Sequence, residues 1–279
     1  MQNLLLRMVR VFICLMILPV PASAHHMWLN ATRYTLEEAG QGSFGGKTII
    51  YFGWGDFYPL HDFIDASTLR SFYLVDPKGQ RKELTPGEAG FIAMKVELPQ
   101  KGTYLVAAER KPSFVADILE DGKLKGLRKP KDELPKGVQL LESKYSVQSA
   151  KALINVGEID LGDNRASTPI GQDLEIVPLK NPYHLKEGDH LPFKVLFKGS
   201  PLRRPLADPT IKATYVGFST EKDVFAYTTE LDTQGIARIK IVRYGIWQIF
   251  VVHPTEPPGE LAGKVDKIEY KTSLTFEVR

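Results

Sequence analysis

The chain has 279 residues, 43% of them hydrophobic, with 36 Lys and Arg against 33 Asp and Glu and a single cysteine. A balance this close to neutral leaves no broad basic surface, which argues against nucleic acid as a partner. One cysteine cannot build a disulfide scaffold, so a hydrophobic core must hold the fold, and the length suffices for one large domain or two smaller ones.

Residues 1–24 carry the marks of a secretory signal peptide. Arg7 and Arg10 precede an apolar run, Val11–Val20, too short to span a bilayer, and Ala22-Ser23-Ala24 supplies a small-residue cleavage pattern. Cys14 lies inside the apolar run, so the mature chain has no cysteine. Removing residues 1–24, and with them Arg7 and Arg10, leaves 255 residues with 34 basic against 33 acidic side chains. An exported, cysteine-free protein suits a periplasmic location. No later apolar run reaches the ~20 residues a membrane helix needs, so no membrane span is expected after signal removal.

Most of the remaining chain reads as strand. Lys47–Trp54 and Arg70–Gln80 are rich in β-branched and aromatic residues, the second ending in a Pro-Lys-Gly turn. Phe91–Arg110 reads as two strands joined near Pro99–Gly102, so residues 25–112 predict an N-terminal β-sandwich. Residues 113–170 change character and read as a connecting segment, with one short helix around Val138–Tyr145 and a return to strand at Ser149–Ile159. The basic tract Lys123–Lys131 within it is flanked by Pro and Gly and reads as a solvated loop. Residues 171–279 predict a C-terminal β-sandwich, in which Phe193, Val195 and Phe197 share one face of a strand and Lys194, Leu196 and Lys198 the other. The expected class is all-β: two immunoglobulin-like or transthyretin-like β-sandwich modules with an irregular connecting segment.

The six histidines are His25, His26, His61, His184, His190 and His253. Without cysteine, a transition-metal site must use nitrogen and oxygen ligands. Cleavage after Ala24 would make His25 the first residue, and its α-amine and Nδ1 could close a chelate ring on one ion. His26 points the opposite way from His25 in an extended segment. Trp28 is too large and apolar to leave in solvent, so it should pin Met27–Tyr34 to the sandwich. His253 ends a strand whose other residues on that face, Trp247, Ile249 and Val251, read as core. The stretch Phe52–Phe63 is dense in Gly and aromatics, reads as a shaped loop, and offers Asp56, His61 and Asp62 as ligands. His184 and His190 flank turns and read as surface. No hydrolase, kinase, dinucleotide or zinc-protease motif is present in the sequence.

The segments SAHHMWLNATRY, YFGWGDFYPLHDF, SAKALINVG, LEIVPLKNPYHLKEGDHLPFKVLFKGSPL and GIWQIFVVHP together resemble an exported all-β family of unknown-function domains. That family includes the accessory periplasmic component of nickel/cobalt ECF-type uptake systems. The resemblance makes His25 the family's terminal histidine, puts His26 at a variable position and matches His253 to a histidine after the last Trp-containing strand. Relatives often carry a histidine after Gly-Trp-Gly, where this chain has Asp56, so a carboxylate stands in for an imidazole here or His61 substitutes.

The leading reading is periplasmic binding of a divalent transition metal, Ni or Co, in support of uptake through a membrane transporter. The ligand candidates are His25, His253, His61, Asp56 and His26. Cu²⁺ stands above Ni²⁺ in the general affinity order and would bind such a site as well. Two other classes stay open: a copper-dependent oxidative enzyme with an N-terminal histidine brace, whose second histidine would be His253, and a metal-free ligand- or protein-binding β-sandwich.

Overall fold

The computed structural model describes residues 25–40, 45–87, 92–204, 207 and 209–279. The expected signal peptide lies outside the described residues. Strands β1 (His26–Ala31), β2 (Thr35–Leu36), β3 (Lys47–Gly55), β4 (Leu69–Val75), β5 (Arg81–Glu83), β6 (Ala93–Glu97) and β7 (Gly102–Arg110) come first. Strands β8 (Ser113–Glu120), β9 (Lys123–Leu127) and β10 (Gln139–Val156) follow. The rest are β11 (Leu174–Pro178), β12 (His190–Phe197), β13 (Ser200–Pro201), β14 (Thr210–Tyr215), β15 (Tyr227–Thr229), β16 (Ile236–Lys240), β17 (Gly245–Thr255) and β18 (Lys267–Val278). One helical turn, α1 (Gly259–Ala262), precedes β18.

These strands make three layers. The central sheet runs β15-β14-β17-β18-β10-β7-β4-β5, with β2 and β8 also paired to β10, and β9 to β8. A sheet of β1-β3-β6 covers one face, and β11-β12-β13 with β16 covers the other. Alternation along single strands feeds both cores. Phe72 and Leu74 of β4 pack with Met27, Leu29 and Phe52, whereas Tyr73 and Val75 pack with Ile176, Phe193 and Val195. Period-two alternation of apolar residues on both faces is what a strand buried on both sides requires.

The all-β sandwich class thus holds, as two sandwiches back to back on one shared sheet. The boundaries expected at 112 and 170 do not divide that sheet, because all three segments contribute strands to it. The connecting segment is not irregular. Val138–Tyr145, expected as a helix, enters β10, the longest strand, and half of Lys123–Lys131, expected as a loop, forms β9 against β8. Helix periodicity in VQLLESKY is weak, and pairing with β8 from Gln139 to Ser146 decides its state. β10 then runs parallel to β18, from Lys144 opposite Lys267 to Ala152 opposite Thr275, and joins the two halves of the chain.

The joint also buries charge. Lys151 Nζ of β10 meets Glu175 Oε1 of β11 at 2.7 Å, with both side chains 1% exposed. Glu175 also accepts the Ile170 and Gly171 N–H groups at 2.9 and 3.0 Å, so its lone pairs are used. Burial pushes the Lys151 ammonium below its ordinary pKa while Glu175 opposes that shift.

Glu175→Ala should cost about 3–5 kcal/mol in urea denaturation, because it strands a buried ammonium. A double variant that also changes Lys151 to Met should recover only part, since two backbone N–H groups still lack an acceptor at about 1–3 kcal/mol each. A single-variant loss below about 1 kcal/mol would show that the pair is not holding β10 to β11.

Candidate metal centre

The site is built on the pairing of β1 with β3. Trp28 lies opposite Gly53 and His26 opposite Gly55. A Cβ on Gly53 would come within 1.8 Å of Trp28 Nε1, and one on Gly55 within 2.3 Å of His61 Nδ1. Gly55 also has φ +136°, a region that disfavours side chains. The two glycines of Gly-Trp-Gly therefore make room for an indole and an imidazole. The stretch expected as a loop begins as a strand for this reason, and only residues 56–62 form the loop.

That loop folds back over β1. Pro59 O accepts Trp28 Nε1 at 2.7 Å and Asn30 Nδ2 at 2.9 Å, and Tyr58 OH donates to Asn30 Oδ1 at 3.0 Å. Trp28 is fully buried, as its size requires. The loop returns to β3 through Asp62 N donating to Trp54 O at 2.8 Å. A second segment arrives from far along the chain: Asp223 N donates to Asp56 O at 2.9 Å, and Lys222 Nζ lies 3.0 Å from Asp56 Oδ2.

Three of the expected ligands converge here. Potential ligand atoms of His25, Asp56 and His61 all lie within 4.8 Å of one another. His25 Nδ1 stands 3.6 Å from Asp56 Oδ1, whose carboxylate is 2% exposed. His61 is exposed, stacks on Phe57 at 4.0 Å, and lies nearly parallel to the His25 ring at 5.8 Å between centroids. Its Nδ1 accepts the Asp56 N–H at 3.0 Å. His61 must therefore exchange that hydrogen bond for an ion, or turn its ring, before it ligates. Burial, then the Asp56 charge, holds the Asp223 carboxyl above its ordinary pKa, with Lys222 and Lys212 opposing. A two-imidazole, one-carboxylate donor set fits a borderline divalent ion such as Ni²⁺, Co²⁺ or Cu²⁺ better than Mg²⁺ or Ca²⁺.

His26 and His253 do not join them. His26 turns inward, is 2% exposed, and stacks on Phe250 of β17 at 3.9 Å. Its buried Nε2 makes no hydrogen bond among the described residues. His253 lies three positions beyond Phe250 on the same strand and so faces the opposite side of the central sheet. There it meets Phe197 and Tyr270, at ring separations of 4.9 Å and in the pairing register respectively. The strand-end position was legible in the sequence, but not which face of the sheet β1 would cover. His184 and His190 lie on and after the turn before β12, apart from the site. Lys222 and Asp223 carried no motif; only the fold brings them to Asp56.

Burial, reinforced by Lys271, pushes the His26 pKa down to about 3. The unfolded chain protonates this residue near ~6.5, so its stabilising effect is complete above that pH and is lost as pH falls toward 3. Between pH 7 and pH 5 the loss from His26 should be about 2 kcal/mol. His26→Phe, stacked on Phe250, should lose that much less over the same interval in urea titrations. Equal losses in both proteins would refute a buried neutral His26.

The chain matches a family model described as a domain of unknown function, DUF4198, over residues 22–255. No curated protein matches it significantly. Among solved structures it is similar to the D0–D1 domain of intimin, with 12% identity, 91% of this chain and 99% of that chain covered, and a TM-score of 0.22. The FN1–FN3 domains of chicken CNTN1 give 10% identity, coverage of 88% and 68%, and a TM-score of 0.23. Trypsin-activated alpha-2-macroglobulin from Escherichia coli gives 8% identity and a TM-score of 0.21, over 91% of this chain. The chain spans only 15% of that macroglobulin's length. Likenesses of this size carry no argument about function. The family match is of another order, since it takes in most of the sequence and every residue of the cluster around Asp56: the chain belongs to the DUF4198 family of domains of unknown function.

Proposed function

We propose that this protein binds a divalent transition-metal ion, Ni²⁺ or Co²⁺, through His25, Asp56 and His61, and that it does so outside the cytoplasm in support of a membrane uptake system. The observation that carries this reading is the convergence of three ligand groups within 4.8 Å from two separate parts of the chain. The ion is cargo. Asp56 supplies fixed negative charge, His25 and His61 supply imidazoles, and removal of residues 1–24 adds the His25 amine as a further donor. Among the described residues no helix is long and apolar enough to cross a membrane. Binding requires neutral imidazoles and a free amine, so acidification should release the ion.

Calorimetric titration with Ni²⁺ tests this on protein beginning at His25 and on protein with one extra N-terminal residue. The extra residue, or His25→Ala, should weaken binding at least tenfold, and Asp56→Asn should weaken it as well. Lys222→Ala, which removes a competing ammonium from Asp56, should tighten it a few-fold. His184→Ala should change nothing. Equal affinity in the wild type and the His25 and Asp56 variants would overturn the assignment.

A further inference from the structure

Beside His25 opens a cleft of about 260 Å³. It is smaller than the ~300–1,000 Å³ of pockets for drug-sized ligands and suits a small organic acid. His25 and Trp54 form part of its wall, with Arg128, Lys144, Gln148 and Lys271 around them and one carboxylate, Asp117, which Lys144 compensates.

Two features describe what the cleft would hold. The first is Arg128 in its wall, with Arg110 outside the wall on the Trp54 ring; both guanidiniums meet hydroxyls and no carboxylate among the described residues. Arg128 Nη1 donates to Ser113 Oγ at 3.3 Å, and Arg110 Nε to Thr68 Oγ1 at 3.4 Å. Arg110 also stacks on Trp54 at 4.1 Å. Burial, and then the charge of Arg128, lower the Arg110 pKa to about 10, which an added anion would relieve. The two lysines differ, because Lys144 is 3.3 Å from Asp117 and Lys271 is 2.9 Å from Glu269. The second feature is Gln148, 5% exposed. Its Nε2 donates to His25 O at 3.3 Å and to Ser146 Oγ at 3.1 Å, while its buried Oε1 accepts no hydrogen bond among the described residues. An unsatisfied acceptor needs a donor, so a simple anion such as chloride does not complete the cleft.

We propose that this cleft takes a small α-hydroxy- or α-amino-carboxylate and that the metal reaches the neighbouring site as a chelate of that acid. The proposal rests on the metal-binding reading above. Arg128 offers a planar fork that matches a carboxylate with two parallel hydrogen bonds. The ligand's hydroxyl or amine donates to Gln148 Oε1. The same oxygen or nitrogen, together with the carboxylate, grips the ion, which sits toward His25. Gln148 ties the two sites together, since its Nε2 holds the His25 backbone and the residue also lines the cleft.

Calorimetry and tryptophan fluorescence with bare Ni²⁺, Ni²⁺–citrate, Ni²⁺–histidine, citrate alone and inorganic phosphate separate the possibilities. The wild type should bind one of the two chelates at least tenfold more tightly than the bare ion. Arg128→Gln should erase that advantage while binding bare Ni²⁺ as the wild type does, and Lys123→Gln on the same hairpin should leave it intact. The proposal is overturned if citrate and histidine merely strip the ion from the wild type, if Arg128→Gln keeps the advantage, or if phosphate occupies the cleft as well as the acids do. If bare Ni²⁺ fails to bind but a chelate binds with dependence on Arg128, the chelate proposal stands and the bare-ion reading falls. If neither binds, both fall.

Discussion

Everything at the site depends on keeping β1 dry. All six residues of this strand are buried, including His26 and Asn30. A buried strand must satisfy its backbone on both edges and cover both faces. β3 takes one edge. On the other edge, Ser273 and Thr275 hydroxyls of β18 donate to Met27 O and Leu29 O, so the central sheet closes with side chains an edge that no strand covers. Met27, Leu29 and Ala31 face the core, and the 56–62 loop caps the outer face through Pro59 O. The same two hydrogen bonds from Trp28 and Asn30 that bury the strand also fix the loop. The contacts that hold the terminus therefore also position Asp56 and His61 beside His25.

The second constraint is the parallel joint of β10 and β18. Parallel neighbours need a long connection, and here 110 residues of chain lie between Val156 and Lys267. Around the joint one face of the sheet carries ionised groups, buried or partly buried. Lys144, Lys267 and Lys271 interleave with Asp117, Glu142 and Glu269, at separations from 2.6 to 3.9 Å. Such networks add little net stability against apolar replacements, because desolvation offsets the attraction. They do set register. A one-residue slip of β18 along β10 would send Lys267, Glu269 and Lys271 to the other face, against Trp247, Ile249 and Phe193.

Alternation made the strands legible in the sequence, and the bulk of Trp28 made the anchored terminus legible. Layer assignment was not, because β4, β7, β10 and β17 carry apolar residues at both parities. Such strands serve two cores, and sequence does not say which outer sheet covers which face. That is why His253 looked like a partner for His25: its strand end was correct and its face was undetermined. Gly-Trp-Gly misled in a different way. Gly suggests a loop where nothing fills the space, but here Trp28 and His61 fill it. Lys222 had no local signal, and Arg128 lay in the basic tract Lys123–Lys131 that reads as a solvated loop; each acquires its meaning from a residue many positions away.

The charge arrangement around Asp56 bears on how an ion would enter. A carboxylate 2% exposed must be balanced by nearby positive charge or hydrogen-bond donors. Its backbone is held at both ends, by His61 Nδ1 accepting its N–H and by Asp223 N donating to its carbonyl. Lys222 lies against its side chain but is half exposed, on a long flexible stem. Holding such a stem in one rotamer costs up to about 2 kcal/mol of entropy, which offsets part of its attraction to the buried carboxylate. A divalent ion that also engages imidazole bears no such cost. In the metal-binding reading proposed above, Lys222 would keep Asp56 compensated before the ion arrives and would give way to it on binding, which is the exchange expected of a fixed carboxylate paired with a half-exposed ammonium.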